Sequence, residues 1–140
     1  MGRVIRIDGS GKIRKQLSRE ILLAVRTLML QEDVTDLTRD LAALITINLK
    51  SITKTIDDSV SAWEKRGYWV KADRFRMEWS WCESCSQVME DALIHEDWPT
   101  VASTVARVAE KLRNVQLSKN HRLGQPWIGA WKRLQNQDKG

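Results

Sequence analysis

Apolar residues recur along this chain at intervals of three and four. Leu37, Leu41, Ile45, Leu49, Ile52, Ile56, Val60 and Trp63 follow one another at steps of 4, 4, 4, 3, 4, 4 and 3, a mean close to the α-helical period. No Gly or Pro falls between Thr35 and Arg66, so the pattern predicts one helix of about 30 residues, capped by the polar Glu32 to Asp36 run and stopped by Gly67. After Gly67, Ala72, Phe75, Trp79, Cys82, Ser86, Met89 and Leu93 step by 3 and 4 and predict a second long helix folding back on the first. Before it, Ile13, Leu17, Ile21, Leu22, Val25, Leu28 and Met29 mark an amphipathic helix from Lys12 to about Leu30. After it, Val101, Val105, Val108, Leu112 and Val115 give a fourth stripe, entered through Asp97-Trp98-Pro99. Pro126 to Leu134 predicts a short last helix, with Trp127, Ala130, Trp131 and Leu134 on one side.

The expected fold is therefore all-α: a four- to five-helix bundle whose long antiparallel helical hairpin turns near Gly67. Asp8-Gly9-Ser10-Gly11 is expected to break the chain, leaving 1–11 as a loose N-terminal arm. Residues 12–116 form the helical domain, and 117–140 a basic, Trp-containing tail that is expected to be detachable.

One stretch supports a different fold. Leu41-Ala42-Ala43-Leu44-Ile45-Thr46-Ile47-Asn48-Leu49-Lys50-Ser51-Ile52-Thr53-Lys54-Thr55-Ile56 resembles a helix-turn-helix, and Trp63 to Trp69 is similar to the run leading into a wing, with Phe75, Met77, Trp79 and Trp81 alternating as a strand would. The resemblance is to winged-helix transcriptional regulators. It implies DNA binding, with Lys50, Ser51, Thr53 and Lys54 of a recognition helix facing the major groove.

Composition narrows the class. At 140 residues, 42% hydrophobic and 29% charged, the chain suits one soluble domain. Its longest clean apolar run, Leu41 to Leu49, is too short to span a bilayer, the N-terminal alternation of Arg and apolar residues offers no signal-peptide core, and no membrane partner is expected. Two cysteines cannot staple a domain of this size, so the cytoplasm is the expected compartment.

Charge changes the picture more. Residues 1–30 carry seven basic against two acidic side chains and residues 99–140 eight against two, whereas 31–66 carry five against seven and 67–98 three against seven. A chain acidic in its middle and basic at both ends can hold those ends against itself or present them to a polyanion. The expected nucleic-acid contacts are Lys12, Arg14, Lys15 and Arg19 at one end and Lys119, Arg122, Lys132 and Arg133 at the other. The function this suggests is a non-enzymatic, basic helical interaction module, a subunit of a larger assembly that touches nucleic acid through its cationic terminal segments. A structural protein that pairs with a protein partner or forms a homodimer through an apolar helix face is a further alternative.

Chemical motifs are sparse. Trp81-Cys82-Glu83-Ser84-Cys85 resembles the motif of thioredoxin-like dithiols, which makes Cys82 and Cys85 a possible redox pair, although packed thiols are the simpler reading. His95 and His121 lie too far apart in sequence to pair with those cysteines in a zinc pattern, and neither has Glu three residues before it. Gly9-Ser10-Gly11-Lys12 lacks both the first Gly and the Ser/Thr of a P-loop. No catalytic residue, metal site or cofactor is expected. Seven of nine aromatics are Trp, and six of the nine fall between Trp63 and Trp81. They suit core packing first, and second a base-stacking platform with Lys71, Arg74 and Arg76.

Overall fold

The computed structural model describes the backbone of residues 2–139 and the side chains of 9–137. Five helices follow in order: α1 (Gly2–Met29), α2 (Asp36–Lys65), α3 (Trp69–Ile94), α4 (Trp98–Lys111) and α5 (Ala130–Lys139). Among the described residues there is no strand, and the helices pack on one another as a bundle.

Local chemistry sets the boundaries. Thr35 caps α2, its backbone N–H donating to Thr38 Oγ1 at 2.9 Å. At the other end Gly67 takes φ +83°, while the Gly67 and Tyr68 N–H groups donate to the Glu64 and Trp63 carbonyls. This is a Schellman turn, which needs a left-handed residue and so favours glycine. It reverses the chain directly into α3, giving the long hairpin that the two heptad patterns predict. At the start of α4, Asp97 accepts from the Thr100 N–H at 3.3 Å, with Pro99 in the first turn.

α2 is the axis of the bundle. Leu41, Ile45, Leu49, Ile52, Ile56 and Val60 of its predicted stripe are buried, with Trp63 half-buried and Leu37 exposed. Its middle, residues 41–49, is buried on every side, because α1, α3 and α5 surround it. Polar groups caught there are satisfied: Thr46 Oγ1 donates to the Ala42 carbonyl at 3.0 Å, and Asn48 Nδ2 donates to the Leu17 carbonyl at 3.2 Å and to Glu20 Oε1 at 3.0 Å. Asn48 thereby fixes the antiparallel register of α1 on α2, and the Lys50–Glu90 ion pair fixes that of α2 on α3.

Four expectations need correction. The winged helix is overturned, because helix α2 runs without interruption through Thr46, Ile47 and Asn48, where a turn is required. The hydrophobic ring around 41–49 favours continuity there, since a turn would bury unpaired backbone groups. Lys50, Ser51, Thr53 and Lys54 thus sit mid-helix: Lys50 is paired to Glu90, Ser51 is half-buried, Thr53 Oγ1 bonds the Leu49 carbonyl at 3.0 Å, and Lys54 is exposed.

The 1–11 arm is helical from Gly2 onward, so Asp8 to Gly11 does not break the chain. Glycine within a helix costs about 1 kcal/mol relative to alanine, and the docked turns that follow outweigh that. The tail is packed rather than detachable: Trp127, Ala130 and Leu134 are buried in the common core, and Asp40 of α2 accepts the Trp131 N–H at 3.0 Å, capping α5 from outside. That last helix begins at Ala130 rather than Pro126, after Gly129 at φ +76°.

Candidate nucleic-acid interface

Lys12, Lys15, Arg19 and Arg26 are spaced 3, 4 and 7 residues apart on α1, which aligns them on one face of the helix. The opposite face carries Ser18, Ile21, Leu22 and Val25 into the core. Packing therefore turns the four cations outward as a ridge about 21 Å long. Lys12, Lys15 and Arg26 are exposed and Arg19 is half-buried.

The upper part of this ridge forms one wall of a cleft of about 770 Å³. The other wall is the connector after α4, which Leu112, Val115 and Leu117 anchor on the core. Arg19 and Arg26 face Ser118, Asn120, His121 and Arg122 across it, and no carboxylate lines it among the described residues. Within the connector the His121 N–H donates to the Ser118 carbonyl at 3.2 Å, and the Leu123 N–H donates to His121 Nδ1 at 3.4 Å. Nδ1 is thus the acceptor, which leaves Nε2 as the imidazole's donor. Three guanidiniums, an imidazole donor and two small polar side chains converge, a set suited to phosphate oxygens.

The predicted contacts divide. Arg19 and Arg122, 103 positions apart in sequence, are brought into one cleft. Lys12 and Lys15 extend it along α1, and Lys119 is exposed on the same connector. Lys132 and Arg133 lie on α5 outside the cleft lining, with Arg133 donating to the Pro126 carbonyl at 3.1 Å. Arg14 is structural: its guanidinium lies 4.9 Å from the Phe75 ring centre and donates to Thr55 Oγ1 at 3.4 Å. Burial pulls its pKa down, and Glu78 opposes the shift. Arg26 and His121 are cleft residues missing from the predicted set. The 12, 15, 19, 26 spacing carries the signal for Arg26; nothing local marks His121.

Cys82 and Cys85 are free and buried. Burial, with a smaller contribution from Cys85, pushes the Cys82 thiol up to about 12. Burial also raises Cys85, against the pull of Arg107 and Lys111 on α4. Both shifts disfavour the thiolate that a redox dithiol needs, so packing accounts for these residues. Among the described residues, no three His, Cys, Asp or Glu side chains gather as a metal site.

Most of the aromatic cluster is packing too. Trp63 and Phe75 meet edge-on at 4.9 Å, and Phe75, Trp79 and Trp81 continue the chain at 6.4 and 6.1 Å. Arg76 is held by Glu64 at 3.0 Å and Asp73 at 2.8 Å, and Lys71 Nζ sits 4.6 Å from the Trp63 ring centre. Only Tyr68 and Trp69 of this stretch stay largely exposed.

A second concavity differs in kind. Val25, Leu28 and Met29 of α1 and Trp98, Val101 and Val105 of α4 line an apolar groove of about 640 Å³, where these two helices barely touch. No helix among the described residues is long and apolar enough to cross a membrane. No known family model, no curated protein and no solved structure matches this chain.

Proposed function

We propose that this protein is a non-enzymatic helical module that binds the phosphate backbone of nucleic acid along the α1 ridge and the cleft above it, as a cytoplasmic subunit of a larger assembly. The observation that carries this reading is the convergence of Arg19, Arg26 and Arg122 on one cleft that no carboxylate lines among the described residues. Neutralising phosphates releases condensed counterions, so such a site binds more weakly as salt rises. Contacts from Lys and Arg to phosphate oxygens carry no sequence information, which favours binding indifferent to sequence.

The test is filter binding of the full chain to labelled single- and double-stranded oligonucleotides across a salt series. Replacing Arg19, Arg26 and Arg122 by Glu should weaken binding at least tenfold. It should also flatten the salt dependence for single strands by about two logarithmic units per decade of salt, from roughly 0.7 per lost contact. No retention at low salt, or full retention by the triple variant, rejects the reading.

A second reading, a module for a protein partner or homodimer, is favoured by the apolar groove between α1 and α4. Sedimentation of the free chain tests it: self-association weakened by Ala106→Glu, which places a charge in that groove, would support it.

A further inference from the structure

Tyr68, Trp69 and Val70 are consecutive, and these residues remain 54%, 60% and 67% exposed. They form the outermost turn of the α2–α3 hairpin, at the end of the bundle that α4 and α5 do not cover. Lys65, Arg66, Lys71 and Arg74 surround them, all exposed. The nearby carboxylates of Glu64 and Asp73 are both engaged by Arg76, so the tip presents net positive charge.

Tyr68, the N-cap, and Trp69 and Val70, the first two residues of α3, line one shallow hollow of about 580 Å³ together with Gly67 and Lys71. Base stacking favours rings presented along a common groove, as in single-strand binding proteins. Here only Tyr68 and Trp69 present free rings, and an exposed apolar tip ringed by cations matches a different surface, the boundary between anionic headgroups and acyl chains. Trp and Tyr settle at that depth, and Lys and Arg beside them are attracted to the negative leaflet.

We propose that the Gly67 tip docks the protein onto anionic phospholipid bilayers, with Trp69 and its two neighbours entering the interface and Lys65, Arg66, Lys71 and Arg74 contacting headgroups. The sequence offers no spanning segment and no membrane partner is expected from it; a surface contact requires only this tip. One small apolar insertion with a cationic ring gives reversible attachment, strengthened by anionic lipid and weakened by salt.

Co-sedimentation of the full chain with phosphatidylcholine vesicles, plain or containing about one-third phosphatidylserine, tests the proposal. Binding is expected on the anionic vesicles at low salt and loss of it on the plain ones. Replacing Tyr68, Trp69 and Val70 by Ser should reduce binding about tenfold or more with the melting temperature unchanged, and Trp69→Phe should retain most of it. Arg19→Glu with Arg26→Glu should leave most vesicle binding in place. Four results overturn the proposal: no binding at low salt, undiminished binding by the serine variant, loss through the cleft variant alone, or a serine variant that loses oligonucleotide affinity while keeping vesicle affinity.

Discussion

Between Leu41 and Leu49 every side chain of α2 is buried, whereas between Ile52 and Trp63 only Ile52, Ile56, Ser59 and Val60 are. The same helix thus meets two environments. At about 1.5 Å per residue α3 extends some 39 Å and α4 only about 21 Å, so α4 returns along just the C-terminal half of α3, and Arg107 and Lys111 arrive beside Cys85. α5 adds itself at Asp40. One end of the bundle therefore has five helices, while the end at Gly67 has three and covers its sides with Trp63, Phe75, Trp79 and Trp81. The five-helix end needs a connector to bring the chain around from α4 to α5, and that connector builds the basic cleft. The three-helix end leaves an apolar tip bare. Unequal helix lengths thus produce two different surfaces.

Truncation inside the five-helix end should give the largest loss. Ile45 is fully buried, and Ile45→Ala should lower unfolding free energy by about 2–5 kcal/mol in a denaturant titration. Met77, 76% exposed at the three-helix end, should tolerate Ala within about 0.5 kcal/mol. Equal losses at the two positions would erase the distinction between the ends.

Leu134 sharpens the same contrast. As a residue of a short terminal helix it would cost almost nothing to truncate if α5 were free; with only 1% of its surface exposed, Leu134→Ala should cost about 2–3 kcal/mol. A melting temperature equal to that of the parent would show that α5 does not close the five-helix end.

The cysteines add a pH dependence to that end. The folded protein holds the Cys82 proton more tightly than the unfolded chain does, so the stability linked to it is complete below about pH 9. It falls as pH rises from about 9 toward about 12. Denaturant titrations at successive alkaline pH values should therefore slope more gently for Cys82→Ala than for the parent. Alkylation of the native protein near pH 8 should also be slow; rapid labelling of Cys82 would contradict its burial.

Much of this architecture was legible because a buried stripe recurs with the helical period. The stripes on α2, α3 and α4, the Gly67 reversal and the Asp97-Pro99 start all rest on interactions within a few residues. What sequence reasoning missed depends on distant partners. Residues Ala42, Ala43, Leu44, Ile47 and Asn48 lie off the predicted stripe and are buried because α1 and α5 cover the remaining sides of α2. Arg19 and Arg122 are visible as cations, but only the path of the connector makes them neighbours. Arg14 shows the reverse: its charge alone suggests a ligand, and only the fold places it over Phe75.

The smallest expected effect concerns the glycines near the start of α1, where local composition and structure disagree most. A Cβ at Gly9 would meet nothing within 4 Å, and one at Gly11 only the end of the Arg14 side chain at 3.9 Å. Neither glycine has positive φ, so both occupy helical backbone that alanine adopts at lower conformational cost. Gly9→Ala should stabilise the protein by about 0.5–1 kcal/mol, seen as a rise in melting temperature of about 2–4 °C or less. Gly67→Ala provides the opposite sign: space is open there too, but φ is +83°, and a Cβ in left-handed backbone costs about 1–2 kcal/mol. If Gly9→Ala leaves stability unchanged while Gly67→Ala lowers it, the first turns of α1 contribute nothing to the three-helix end, and the loose-arm reading regains its ground.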